Sequence, residues 1–168
     1  IEIDADVVPC VMYRNYDEFD EDGSEEFVEG MWFKTQELFS NTVINYSEEH
    51  RSNGSIKNEK TNQKYKPTIR MFKKARDHAE NRGHLTEGTA TSYFIEGLLF
   101  NVPHSRFKKS NLHERYLSVV EYLETADVEN FEEQSKQYDL CVDSEPERWN
   151  VDDANATIEA FRELWEEW

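Results

Sequence analysis

The chain has 168 residues, 36 acidic and 19 basic, for a formal net charge of −17. This length fits one domain or a large part of a bigger one. Apolar residues are only 37%, yet an aromatic share of 13% supplies a core and excludes disorder along the whole chain. No run of 18 apolar residues exists, and two cysteines, Cys10 and Cys141, are too few for a disulfide framework or a four-thiolate zinc site.

In chain order, Ile1, Ile3, Ala5 and Val7 alternate with Glu2, Asp4, Asp6 and Val8, which predicts a strand over 1–13 that Pro9 restricts to a sheet edge or end. The opening residues have neither a basic n-region nor an apolar h-region, so they do not read as a signal peptide. A start without Met suggests a fragment. Residues 17–26 read as an acidic turn. Gly30–Phe33 and Thr42–Tyr46 read as further β structure. A polar stretch over 47–64 follows, with a short helix over 46–53. Pro67 in a first turn, with Ile69, Phe72, Lys73 and Arg76 behind it, predicts a helix over 67–81 that Gly83 ends. Ser92 reads as the N-cap of a nearly all-apolar helix to Phe100, the expected central buried helix. Residues 112–125 form a third helix with Leu112, Tyr116, Val119, Val120 and Leu123 as its core stripe. Residues 152–167 form the last, with Ile158, Phe161, Leu164 and Trp165 on one face.

The charge is segregated. Residues 1–30 carry −10 and 121–168 carry −13, whereas 57–76 carry +7 from Lys57, Lys60, Lys64, Lys66, Arg70, Lys73, Lys74 and Arg76 against Glu59 alone. Such an island is either a phosphate or polyanion site or a solvated helix face that balances nearby acids. Asp4 and Asp6, two apart on a strand, point the same way, as magnesium ligands or as acids facing water. Glu18, Asp20, Asp22, Gly23 and Glu29 fall at calcium-loop positions, but a preceding strand and Glu25 at an apolar position favour an acidic hairpin. The five histidines show no metal spacing and read as surface or packing residues. Ser92-Tyr93 at a helix start suits a phosphate and a stacked base, or simple capping and core packing.

These pieces occur together and in order: Ile3-Asp4-Ala5-Asp6-Val7-Val8-Pro9-Cys10, Tyr13-Arg14-Asn15-Tyr16, Glu29-Gly30-Met31-Trp32-Phe33, Ile44-Asn45-Tyr46, Lys57-Asn58, Thr61-Asn62, Tyr65-Lys66, Ile69-Arg70-Met71-Phe72-Lys73, Ser92 through Pro103, and the closing Trp149-Asn150, Asp153-Ala154, Leu164-Trp165 and Trp168. The set resembles the C-terminal half of nucleotidyltransferases related to cyclic GMP-AMP synthase and oligoadenylate synthase, in the bacterial and archaeal branch that makes cyclic oligonucleotide signals in anti-phage defence.

The resemblance implies an α+β fold. The last strands of a polymerase-β-like sheet would occupy 1–46, and a mainly helical nucleotide-binding domain would occupy 47–168. It implies catalysis with Mg²⁺ or Mn²⁺ held by Asp6, with Asp4 as the neighbouring alternative. Lys73 and Ser92 would contact the NTP triphosphate, Tyr93 would lie beside the base, and Lys66 and Arg70 would join as nucleotide contacts. The expected partners are NTPs and the missing N-terminal half, in the cytoplasm, with no membrane and no long nucleic acid. No Gly-Ser turn with an Asp-x-Asp pair precedes Asp6, so this polypeptide alone is expected to be inactive. An RNA-directed terminal nucleotidyltransferase and a non-catalytic nucleotide-binding module are the alternatives.

Overall fold

The computed structural model describes residues 8–19, 25–34, 42–143 and 149–167. Asp4, Asp6, the alternating stretch over 1–7, and Asp20, Asp22 and Gly23 of the calcium-like pattern lie outside them. The chain forms two compact units, Ile1–Glu49 and His50–Trp168.

In the first unit, β1 (Val11–Phe19), β2 (Glu25–Lys34) and β3 (Thr42–Asn45) pair antiparallel in the order β1-β2-β3. Val11 pairs with Trp32 and Phe33 with Val43, and a register shift falls between Tyr16 and Glu18. Within the predicted span of 1–13, β1 begins at Val11 among the described residues. Residues 8–10 have no regular structure, because Pro9 has no N–H to give a ladder. It also runs into the predicted acidic turn: Phe19 pairs with Glu25, so both arms there are strand. This is hairpin geometry, not the helix–loop–helix of a calcium loop. Arg14 lies opposite Glu29 at 3.4 Å and 4.3 Å over the Phe27 ring.

The second unit is helical: α1 (Ser47–Lys60, which begins at the unit boundary), α2 (Tyr65–Arg82), α3 (Ser92–Phe100), α4 (His104–Phe107), α5 (Leu112–Leu123), a 3-10 turn (Val128–Asn130) and α6 (Val151–Glu166). The predicted short helix over 46–53 is instead the first half of α1. Its sequence is polar throughout, and tertiary contacts extend it: Gly54, Lys57 and Asn58 are buried. Helix α2 stops where expected, with Gly83 in the left-handed region at φ 80° and its N–H on the Glu80 carbonyl. The N-cap of α3 is Thr91, not Ser92: Thr91 Oγ1 accepts the Phe94 N–H at 3.2 Å.

Helix α3 is the central one, burying Phe94, Ile95, Gly97, Leu98 and Leu99. Around it, Phe72 of α2 stacks on Tyr116 of α5 (4.7 Å, 13°) and meets Phe161 of α6 edge-on (5.0 Å, 85°). Tyr116 donates to the Phe161 carbonyl at 2.8 Å, which satisfies its buried hydroxyl. Leu112 departs from the predicted core stripe. It is 58% exposed, because it is the first residue of α5 and extends past the packed turns.

Lys57 belongs to the basic island by sequence, but it is buried. Its ammonium donates to the Val102 carbonyl at 2.7 Å and lies 5.3–5.5 Å from the ring centres of Tyr65, Phe100 and Phe107. Burial first, then the nearby Lys136 and Lys60 charges, lower its pKa from 10.5 to about 8. Between these values the unfolded chain binds more protons than the folded one, so the contribution of Lys57 to stability rises with pH across that window. Lys57→Met removes this rise and strands the Val102 carbonyl at about 1–3 kcal/mol. Urea unfolding at pH 7.5, 9 and 10 is therefore expected to show a wild-type advantage over Lys57→Met that widens with pH. A gap that narrows or stays flat counts against the buried charge.

Candidate nucleotide-binding cleft

On α2, Lys66, Ile69, Arg70 and Lys73 fall at helical spacing and form one stripe. Ile69 is buried beneath it, and the three cations line a cleft of about 340 Å³. His50, Arg51 and Gly54 of α1, Glu96 of α3, Tyr65 and Gln134 complete the lining.

The α1–α2 turn sets the position of the stripe. Thr61 Oγ1 accepts the Tyr65 N–H at 3.1 Å, and Asn58 Oδ1 accepts the Lys66 N–H at 3.0 Å. These bonds answer orphan donors at the start of α2, whose N-cap Lys64 makes no side-chain cap bond. The far wall is Gln134, which is buried: its amide donates to the His50 carbonyl at 2.7 Å and accepts from the Tyr65 hydroxyl at 2.6 Å. Gly54 permits this approach, since a Cβ there would stand 2.5 Å from Gln134 Nε2.

Glu96 is the one acid in the lining. Lys73 Nζ lies 2.5 Å from one carboxylate oxygen and His50 Nε2 lies 2.7 Å from the other. Burial works against the charge on Glu96, but the hydrogen bonds and charges of His50 and Lys73 outweigh it and hold the carboxyl below its usual range. The cleft therefore keeps a positive excess from Arg51, Lys66, Arg70 and Lys73. Among the described residues, Arg70 has no hydrogen bond or ion pair, and Lys66 reaches only Ser55 Oγ, at 3.0 Å. Guanidinium and ammonium groups clustered in this way suit a phosphate chain.

Ser92 and Tyr93 are not in the lining but adjoin it. Ser92 lies one turn before Glu96 on the same face of α3. Because Thr91 provides the cap, the exposed Ser92 hydroxyl makes no hydrogen bond among the described residues. The Tyr93 ring is stacked with His50 (4.5 Å, 26°) and with Trp149 (5.9 Å, 16°), and its hydroxyl is 3.4 Å from Glu133. The ring expected beside a base is thus already held by protein rings.

Sequence reasoning passed over His50, Arg51, Glu96 and Gln134. By sequence His50 reads as a surface or packing histidine, yet it joins the charged and aromatic parts of the site. No spacing rule links it to a glutamate 46 residues away. Glu96 did leave a trace, as the only charge inside the apolar run Tyr93–Phe100. Among the described residues no group of three or more His, Cys, Asp or Glu side chains could hold a metal ion, and no helix is long and apolar enough to cross a membrane.

Residues 52–166 match the cGAS/DncV-like nucleotidyltransferase C-terminal helical domain. The chain is similar to the cyclic UMP-AMP synthase of Rhodothermus marinus, with 38% identity over 164 residues, covering 98% of this chain and 55% of that protein. It is also similar to cyclic nucleotide synthase CdnE01 of Staphylococcus haemolyticus, with 36% identity over 169 residues and the same coverage of 98% and 55%. Among solved structures, the Rhodothermus marinus CdnE c-UMP-AMP synthase with Apcpp and Upnpp superposes with a TM-score of 0.83 at 38% identity, over 95% of this chain and 53% of that one. The chain spans about half the length of the curated relatives it matches.

Proposed function

The chain belongs to the cGAS/DncV-like nucleotidyltransferases, and on that premise we propose that its cleft holds the triphosphate of an NTP in a synthase that builds a cyclic oligonucleotide signal for antiviral defence in the cytoplasm. The observation that carries the reading is the cationic stripe Lys66–Arg70–Lys73 facing a cleft in a chain of net charge −17. A cluster of that sign, in which Arg70 has no partner among the described residues, favours a polyanion over a neutral ligand.

In this reading Lys66, Arg70 and Lys73 neutralise the triphosphate, and Ser92 adds a hydroxyl donor. The His50–Tyr93–Trp149 stack borders the base. A ribose hydroxyl attacks the α-phosphorus. The new P–O bond forms as the α–β bridge breaks, and pyrophosphate leaves with the bonding pair. The hydroxyl proton passes to a carboxylate, for which we assign Asp6, with Asp4 as the neighbouring alternative. Mg²⁺ or Mn²⁺ is the proposed metal and would add charge neutralisation at the phosphates, with Asp6 as this chain's ligand. The described residues contain no complete donor set, and we assign the remaining ligands to sequence beyond these 168 residues.

The proposed division of labour is direct: the 168 residues bind nucleotide, and turnover needs the other half. The test is to titrate the chain with each NTP, then to assay products with Mg²⁺ or Mn²⁺, alone and with the other half of the enzyme supplied in trans. Binding without turnover by the chain alone, and cyclic products from the mixture, are expected. Turnover by the chain alone overturns the division of labour. No binding by the chain and no product from the mixture overturns the nucleotide reading.

A further inference from the structure

A carboxylate within a polyphosphate site needs a reason, because it repels the ligand that its neighbours attract. Glu96 is such a carboxylate. It lies 2.5 Å from Lys73 and one helical turn after Ser92, between the two groups assigned to the triphosphate. It is not leftover surface charge: its side chain is 26% exposed, and each oxygen has its own partner, Lys73 on one and His50 on the other. It stands where a phosphate oxygen would stand, at hydrogen-bond distance from the ammonium.

We propose that Glu96 is a built-in competitor anion for the cleft, a positioning residue that acts through Lys73. With no ligand bound it occupies the Lys73 ammonium and holds the side chain extended across the cleft. An arriving polyphosphate engages Arg70 and Lys66, takes over Lys73, and leaves Glu96 to His50. When a pyrophosphate is ready to leave, the same carboxylate recaptures Lys73. The second partner makes the exchange feasible, since Glu96 released from Lys73 is never a bare charge. His50 is held for this role by its stack on Tyr93 at 4.5 Å and by Gln134 on its backbone carbonyl. The proposal rests on the cleft being the phosphate site.

The sign of one effect separates this role from a structural one. Glu96→Gln keeps the shape and one acceptor oxygen for Lys73, turns the contact with His50 Nε2 into one donated by the amide, and removes the competing charge. The 168-residue chain carrying it is expected to bind tripolyphosphate and pyrophosphate about tenfold more tightly in calorimetric titrations, as one charge near a desolvated ligand implies. A purely structural glutamate predicts unchanged or weaker binding, and either result in a folded variant overturns the proposal. His50→Phe supplies the opposite change: the ring stack stays, but Glu96 loses its alternative partner and leans on Lys73. Polyphosphate binding should weaken severalfold; unchanged or tighter binding also overturns the proposal, even where Glu96→Gln does not fold. Arg70→Ala is the control for the site. If it weakens tripolyphosphate binding while Glu96→Gln fails to tighten it, the phosphate site stands and the competitor role falls. If Arg70→Ala has no effect, the site itself is wrong and the proposal goes with it.

Discussion

Replacing Lys73 with Ala is expected to weaken NTP and tripolyphosphate binding by about 10- to 100-fold, the range of one charge-assisted hydrogen bond of about 1.5–3 kcal/mol. Two effects act together. The ammonium no longer reaches a phosphate oxygen, and Glu96 keeps only His50 as a partner, so its charge faces the ligand less compensated. Stability should change much less, because the Lys73 side chain is 26% exposed and caps no buried carbonyl. Lys73→Arg should recover part of the affinity, since the charge remains but the guanidinium fork does not reproduce a point contact. Calorimetric titration checks affinity, and a thermal melt checks that the fold is intact. Affinity within about twofold of wild type in a folded Lys73→Ala chain would remove Lys73 from the site.

One residue earlier, the expected effect lies in folding. Phe72→Ala should destabilise the helical unit by about 3–5 kcal/mol, as removal of a fully buried aromatic ring does. That is a large part of the about 5–15 kcal/mol available to a typical domain. Phe72 is completely buried, stacked on Tyr116 and edge-on to Phe161, so the cavity would open where α2, α5 and α6 meet. Rigid aromatic neighbours collapse poorly into such a void. Equilibrium urea unfolding reads the loss directly. A loss below about 1.5 kcal/mol would mean that the three helices repack around the gap. Nucleotide affinity per folded molecule should hold, because Lys73 leaves the helix about 100° round from Phe72 and lines the cleft, whereas Phe72 points into the core.

Periodicity made much of this fold legible. Helices α2, α5 and α6 follow from apolar spacing and α3 from its nearly unbroken apolar run; Pro67 lies in the first turn of α2, which starts two residues earlier than predicted, and Gly83 ends it. The misses are informative. Helix α1 is polar on all sides, so no periodic signal extended it past residue 53. Its support comes from Asn53 donating to the Gln134 carbonyl and from Lys57 on the Val102 carbonyl, contacts across 81 and 45 residues. Ser92 and Thr91 are both N-capping residue types, with Ser the better one. Helix phase chose Thr91, and that choice leaves the Ser92 hydroxyl exposed.

The basic island divides what sequence determines from what folding decides. Its charge of +7 within an acidic chain is set by residue order alone, and that contrast marks the island as either an anion site or a solvated helix face. In the linear string its lysines and arginines look alike. In the folded unit Lys57 is buried against three rings, Lys64 holds the carbonyls of Lys108 and Lys109, and Arg76 pairs with Asp77 and the Ala90 carbonyl. Arg70 is left without a partner among the described residues, and Lys73 is held by a glutamate from another helix. The reason is physical: charge belongs to the side chain, whereas its availability depends on the solvent and partners around it, and only tertiary packing supplies those.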